Sequence, residues 1–163
     1  MEALPYFVLQ LFWFALVWSV VVWFVVWPAS RRLSPTARLS LWVAPQMFRV
    51  LGLGLLVPNL SPGMPREFAL ATAAGDSLTA SLALFAFVGL QRGSSRARAL
   101  AWACTVVGTL DLLAAFPHAV HSGALPHLAA QWYVPVFAGP IMIVSHVACF
   151  AELLGGRRAS APP

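Results

Sequence analysis

Lysine is absent from this chain: all ten basic residues are arginines, opposed by only five acids. Charged residues make up 9% of the 163, and 60% are hydrophobic. Soluble domains carry about 25% charge, and a soluble fold of this size could not hide so much apolar surface. Cysteine is scarce as well. Cys104 and Cys149 form no C-x-x-C pair, so neither a disulfide framework nor a thiol–metal knuckle is implied. The chain has no H-E-x-x-H, no phosphate-binding glycine loop and no nucleophile elbow. Enzyme chemistry is thus not the expectation, and no catalytic residue, metal or cofactor is assigned. The net charge of +5 does not point to nucleic acid, because the arginines cluster between apolar runs.

What is present is apolar length. A helix rises 1.5 Å per residue, so about 20 residues cross a hydrocarbon core. Five stretches reach that length: 6–27, 39–57, 67–90, 99–116 and 132–154. Backbone groups in lipid must bond within their own segment, which selects helices over strands. The fold expected is all-α, one polytopic bundle over 1–154, with 155–163 as a disordered cytoplasmic tail. The first run lacks a basic n-region and an A-x-A site, and is read as a retained helix rather than a signal peptide. Its tryptophans, Trp13, Trp18 and Trp23, are five apart and make no single stripe; it is expected to face lipid.

Arginine also reports orientation. Arg31, Arg32, Arg38, Arg92, Arg96, Arg98, Arg157 and Arg158 fall on one side, and Arg66 alone on the other. The N-terminus is therefore expected outside and the C-terminus in the cytoplasm, in a multi-pass plasma-membrane protein whose first partner is the lipid bilayer.

Four ionisable residues break the apolar runs: Arg49, Asp76, Asp111 and His146, each in a different predicted helix. A charge at the bilayer centre costs roughly 2.5–3.5 kcal/mol on insertion scales. Helix rise places all four within a band of about 8 Å near the midplane. They are expected to meet there, with Arg49 on one or both carboxylates and His146 beside the carboxylate left over. Gly52, Gly75 and Gly108 lie near these sites and would let helices approach closely. Pro45, Pro135 and Pro140 remove backbone hydrogen bonds at membrane depth and would kink the helix or free carbonyls. His118, His121 and His127 are read as loop residues.

In order along the chain stand Arg49-Val50-Leu51-Gly52, Phe68-Ala69-Leu70 running to Gly75-Asp76, Gly108-Thr109-Leu110-Asp111, and Pro140 leading to His146. This pattern resembles a family of uncharacterised small polytopic membrane proteins of bacteria. The resemblance implies a bacterial inner membrane and four polar residues acting as one unit. Where that family has Pro-Ala-Gly, this chain has Ala71-Thr72-Ala73. A more regular third helix is expected for that reason.

Two functions follow from these residues. One is a module that binds or transports a proton, an ion or a small solute at Arg49, Asp76, Asp111 and His146. The other is a structural or accessory subunit whose buried ion pairs specify helix packing. A membrane enzyme or electron carrier built on His146 ranks behind both. Five helices make a small transporter, so a second copy or a membrane partner subunit would supply any missing wall. The orientation is directly testable: a reporter active only in the cytoplasm should work at the C-terminus and at Ser94 and fail at Ser61. Activity at Ser61 with none at Ser94 reverses the topology.

Overall fold

A computed structural model describes residues 3–158. Among them there is no strand, and five helices are long and apolar enough to cross a membrane. They are α1 (Ala3–Ser30), α2 (Pro35–Leu56), α3 (Arg66–Gln91), α4 (Ala97–His121) and α5 (Ala129–Gly155). The helical backbone of α5 continues to Arg158, so residues 155–158 of the expected tail are helical. The remainder of that tail, 159–163, lies outside the described residues.

The helices extend past the apolar runs because their caps do. Ser34 Oγ accepts from Ala37 N at 3.2 Å and Pro35 opens the first turn of α2. The helix α4 runs through Pro117 to His121, five residues beyond its expected end. Its last carbonyls stay satisfied: Ser122 N bonds His118 O at 2.9 Å, and His121 Nδ1 lies 2.7 Å from Pro117 O. His118 and His121 thus ride on a helix rather than in a loop, while His127 sits in a 3₁₀ turn against Pro62 O.

Prolines leave three irregular stretches. A π-turn occupies Val22–Val26 and another Val134–Ala138, each ending two residues before a proline, Pro28 and Pro140. The wider turn absorbs the backbone register that the missing N–H would otherwise break. In α2, Pro45 opens a 3₁₀ stretch over Ala44–Leu56 in place of the α-helix expected there. Its 13 residues rise about 2 Å each, so this half of α2 is longer and thinner than an α-helix. By contrast α3, without the proline of the resembled family, is an unbroken α-helix.

The bundle has two unlike ends. Towards the loops that follow Ser30 and Gln91, the helices pack tightly. Val43, Ala83, Ala86, Ala101 and Leu153 are fully buried there, with Cys104 and Cys149 among them. Alanines on the facing sides of α3 and α4 permit that approach. Two arginines bind α5 at this end: Arg38 Nε lies 2.8 Å from Glu152 Oε2, and Arg98 Nη2 donates to Leu153 O at 2.6 Å. A second apolar cluster, with Phe7, Leu55, Phe68, Leu125 and Leu128, closes the opposite end.

Helix α1 leans on α5 from outside. Trp18 Nε1 donates to Phe137 O at 3.2 Å, and Trp132 Nε1 to Gln10 Oε1 at 2.7 Å. Over Ala3–Val21 only Phe7 is buried, and Trp13 and Trp23 are exposed, as a lipid-facing helix requires. Removing a buried leucine side chain should cost about 2–5 kcal/mol. Leu153→Ala should therefore lower the melting temperature of the purified protein clearly. Leu113→Ala, at a side chain 69% exposed on α4, should leave it nearly unchanged.

Candidate functional site at the bundle midplane

Arg49 is 4% exposed and stands on the 3₁₀ half of α2. A 3₁₀ helix turns three residues at a time, so side chains at i and i+3 eclipse. The buried residues of this stretch are Gln46, Arg49, Gly52 and Leu55, spaced by three. In an α-helix the same four would drift by about 60° per step. The 3₁₀ winding is what points Gln46, Arg49 and Gly52 inward together.

Every nitrogen of the guanidinium has a partner. Arg49 Nε donates to Asp76 Oδ1 at 2.7 Å, Nη1 donates to Gly108 O at 2.9 Å, and Nη2 donates to Asp111 Oδ2. Nη2 also lies 2.7 Å from Asp76 Oδ1. One arginine on α2 therefore ties down α3 and α4 together. The planar fork suits this, because its donors are pre-set in direction.

Three glycines make room for the polar side chains. A methyl group on Gly52 would strike the Asp76 carboxylate, and one on Gly75 the Asp111 carboxylate. One on Gly108 would come within 2.7 Å of the His146 ring. The pattern is sequential: Asp76 of α3 rests on α2, Asp111 of α4 on α3, and His146 of α5 on α4. These glycines do more than let backbones approach; each seats the ionisable side chain of the next helix. Gly54 similarly seats the Gln131 amide.

The four polar residues do not form one hydrogen-bonded unit. Arg49, Asp76 and Asp111 do. His146 is separated from them by Gly108, and neither ring nitrogen has a hydrogen-bond partner among the described residues. The expected contact between His146 and a spare carboxylate does not form, because Arg49 takes both aspartates. His146 packs instead beside Thr79, whose methyl group approaches Gly108 and whose hydroxyl is also without a partner among the described residues. No group of three His, Cys, Asp or Glu suited to a metal occurs among the described residues.

Sequence reasoning missed two participants. Gln46 Nε2 donates to Met142 O at 3.0 Å and reaches Ser145 Oγ, joining α2 to α5 at the same level. Gln131 lies near the start of α5. Both are uncharged amides in or beside apolar runs, and the three-residue spacing of Gln46 from Arg49 becomes meaningful only under 3₁₀ winding.

A cavity of about 170 Å³ begins at the ion-paired group and extends towards the closed apolar end. Its floor is Arg49, Asp76 and Asp111; its walls are apolar, with Thr72 and Gln131 the polar exceptions. All five helices contribute, α1 through Phe7 and Leu11. The side chains of Asp76 and Asp111 are 15% and 17% exposed against 2% for Arg49. The two carboxylates are thus the more open part of the floor, and Arg49 the more covered. Phe48, Phe116 and Ile143 line it while also being exposed on the bundle surface. With the loop end covered by buried Phe7, Phe68 and Leu125, the cavity reaches the surface through the flank.

The geometry makes Arg49 the shared partner of two carboxylates. Breaking a buried pair by removing one partner costs about 3–5 kcal/mol. Arg49→Leu should therefore collapse the yield of folded protein. Adding Asp76→Leu should restore part of it, and adding Asp111→Leu likewise, each by relieving one unpaired charge. Purely additive losses in both double mutants would show that the residues are not coupled.

Among known proteins, no curated protein and no solved structure matches this chain. A family model does, over residues 6–154, which takes in all five helices. That family is described as a domain of unknown function, in accord with the resemblance to an uncharacterised one. The chain belongs to the DUF8737 family.

Proposed function

We propose that this protein is a multi-pass membrane module that binds, and in a transport cycle would pass on, a small solute at Arg49, Asp76 and Asp111. The observation that carries the reading is the cavity ending on two partly exposed carboxylates. A pair serving only to lock helices has no need of open space beside it, and voids at such a site cost stability. Walls from all five helices of one chain support a site formed within a single copy.

The arginine distribution supports a plasma-membrane orientation with the N-terminus outside. In that orientation the packed half of the bundle lies in the cytoplasmic leaflet and the cavity in the outer one. The site would then load from the outer half. His146 stands on the packed side of Gly108, with both ring nitrogens unpartnered among the described residues. It takes the role of a separate polar station rather than a ligand for the solute.

A second reading has its own support. All three guanidinium nitrogens are satisfied by protein, as expected of an arginine whose task is to hold α2, α3 and α4 in register. Access to the cavity separates the two. A cysteine at Ala115, on the cavity wall, should react with N-ethylmaleimide in membranes at least about tenfold faster than one at Ala86, in the packed half. Equal protection at both positions would leave the structural lock as the better account.

A further inference from the structure

We infer that the occupant of this cavity is a small lipophilic amine: a cationic head on the two aspartates and an apolar body along the flank. The inference rests on the solute-binding reading above and names the class of solute.

The head group follows from charge and from which atoms remain open. One arginine and two aspartates sum to a formal −1. Arg49 takes Oδ1 of Asp76 and Oδ2 of Asp111; the other oxygens, Asp76 Oδ2 and Asp111 Oδ1, rest against Gly52 and Gly75 and take no hydrogen bond from Arg49. Each nitrogen of Arg49 is already engaged, and its side chain is almost wholly covered. Further along the wall, Gln131 Oε1 is a buried acceptor without a hydrogen-bond partner among the described residues. Among the described residues, the cavity thus offers acceptors and negative charge, and its one cationic side chain is 2% exposed. An anion would meet uncompensated carboxylates in a low-dielectric site, whereas an ammonium completes the charge and donates up to three hydrogen bonds.

The body follows from the walls and the size. A hydrated metal ion would have to exchange its water for six or more oxygen ligands. Walls of Leu112, Ala115, Phe116, Pro135 and Ile143 supply none, so a bare ion would not be repaid for dehydration. A proton alone would leave the apolar volume without an occupant. An apolar cavity of about 150 Å³ holds benzene, and this one is about 170 Å³. A body of one aromatic ring or a short alkyl chain therefore fits. The exposed lining residues Phe48 and Ile143 neighbour Arg49 and Met142 along the chain, so the flank opens near the depth of the carboxylates. An amphiphile already partitioned into the bilayer would arrive at that level, ring first into the walls, with its ammonium on the aspartates.

The test uses the purified full chain in detergent and three probes of matched size: phenethylamine, 2-phenylethanol and 3-phenylpropionate. Binding is read by calorimetry and by the shift in melting temperature. A hydrogen bond to a charged group contributes about 1.5–3 kcal/mol. Phenethylamine should therefore bind roughly ten- to hundredfold more tightly than the alcohol, and the carboxylate should not bind. Asp111→Asn should erase the preference for amine over alcohol. Should that variant fail to fold, Ala115→Phe fills the cavity without touching the charges and should abolish amine binding. Alcohol and amine binding equally would overturn the amine assignment while leaving the solute-binding reading intact. Binding of the carboxylate probe in preference would do the same. No binding of any probe, with Ala115→Cys protected from maleimide, would overturn both.

Discussion

The guanidinium of Arg49 is the fixed point of this bundle. It satisfies Asp76, Asp111 and the Gly108 carbonyl at once, joining α2 to α3 and α4. Removing one arginine and two carboxylates from water costs several kcal/mol per ion. Attraction repays that cost only where every donor and acceptor finds a partner in good geometry. Two features of the chain supply the geometry. Glycines at 52, 75 and 108 let the polar side chains lie flat against neighbouring helices. The 3₁₀ winding of Ala44–Leu56 turns Arg49 and Gly52 to the same side.

Those requirements explain why the two halves of the protein differ. Towards the arginine-rich loops, alanines and the two cysteines allow close packing, and Arg38 and Arg98 clamp α5. Beyond Arg49 the walls are built from larger and more irregular pieces. The π-turn Val134–Ala138 and Pro135 interrupt α5 along the cavity wall. Irregular backbone at membrane depth is tolerated where it is buried in protein or lines a cavity. One half is closely packed and the other encloses the cavity, with the ion-paired group at their boundary.

His146 shows how charge arithmetic can mislead. One arginine and two aspartates leave a carboxylate over, which a histidine at matching depth would be expected to meet. A guanidinium has five N–H donors, however, and can serve two carboxylates without help. His146 is left on the far side of Gly108 beside Thr79. Formal charge counts pairs, whereas hydrogen-bond geometry counts donors, and here the second governs.

Hydrophobic length and helix rise were sufficient to read five helices long and apolar enough to cross a membrane and to bring Arg49, Asp76 and Asp111 to one level. Those properties depend on residue counts along an axis, which the sequence carries directly. Rotation about the axis is different. Whether Gln46 or Gln131 faces inward, and whether Arg49 and Gly52 share a face, depends on about 100° per residue in an α-helix or about 120° in a 3₁₀ helix. A difference of 20° per residue accumulates over three or four residues into a different neighbour. Only the packed bundle selects the winding, because the cost of a thinner, stretched helix is offset by contacts that exist after α3 and α4 have docked. The sequence by itself determined the five long apolar helices and the level along them at which Arg49, Asp76 and Asp111 stand. The tertiary structure decided which of them meet, and that the space beside them stays open.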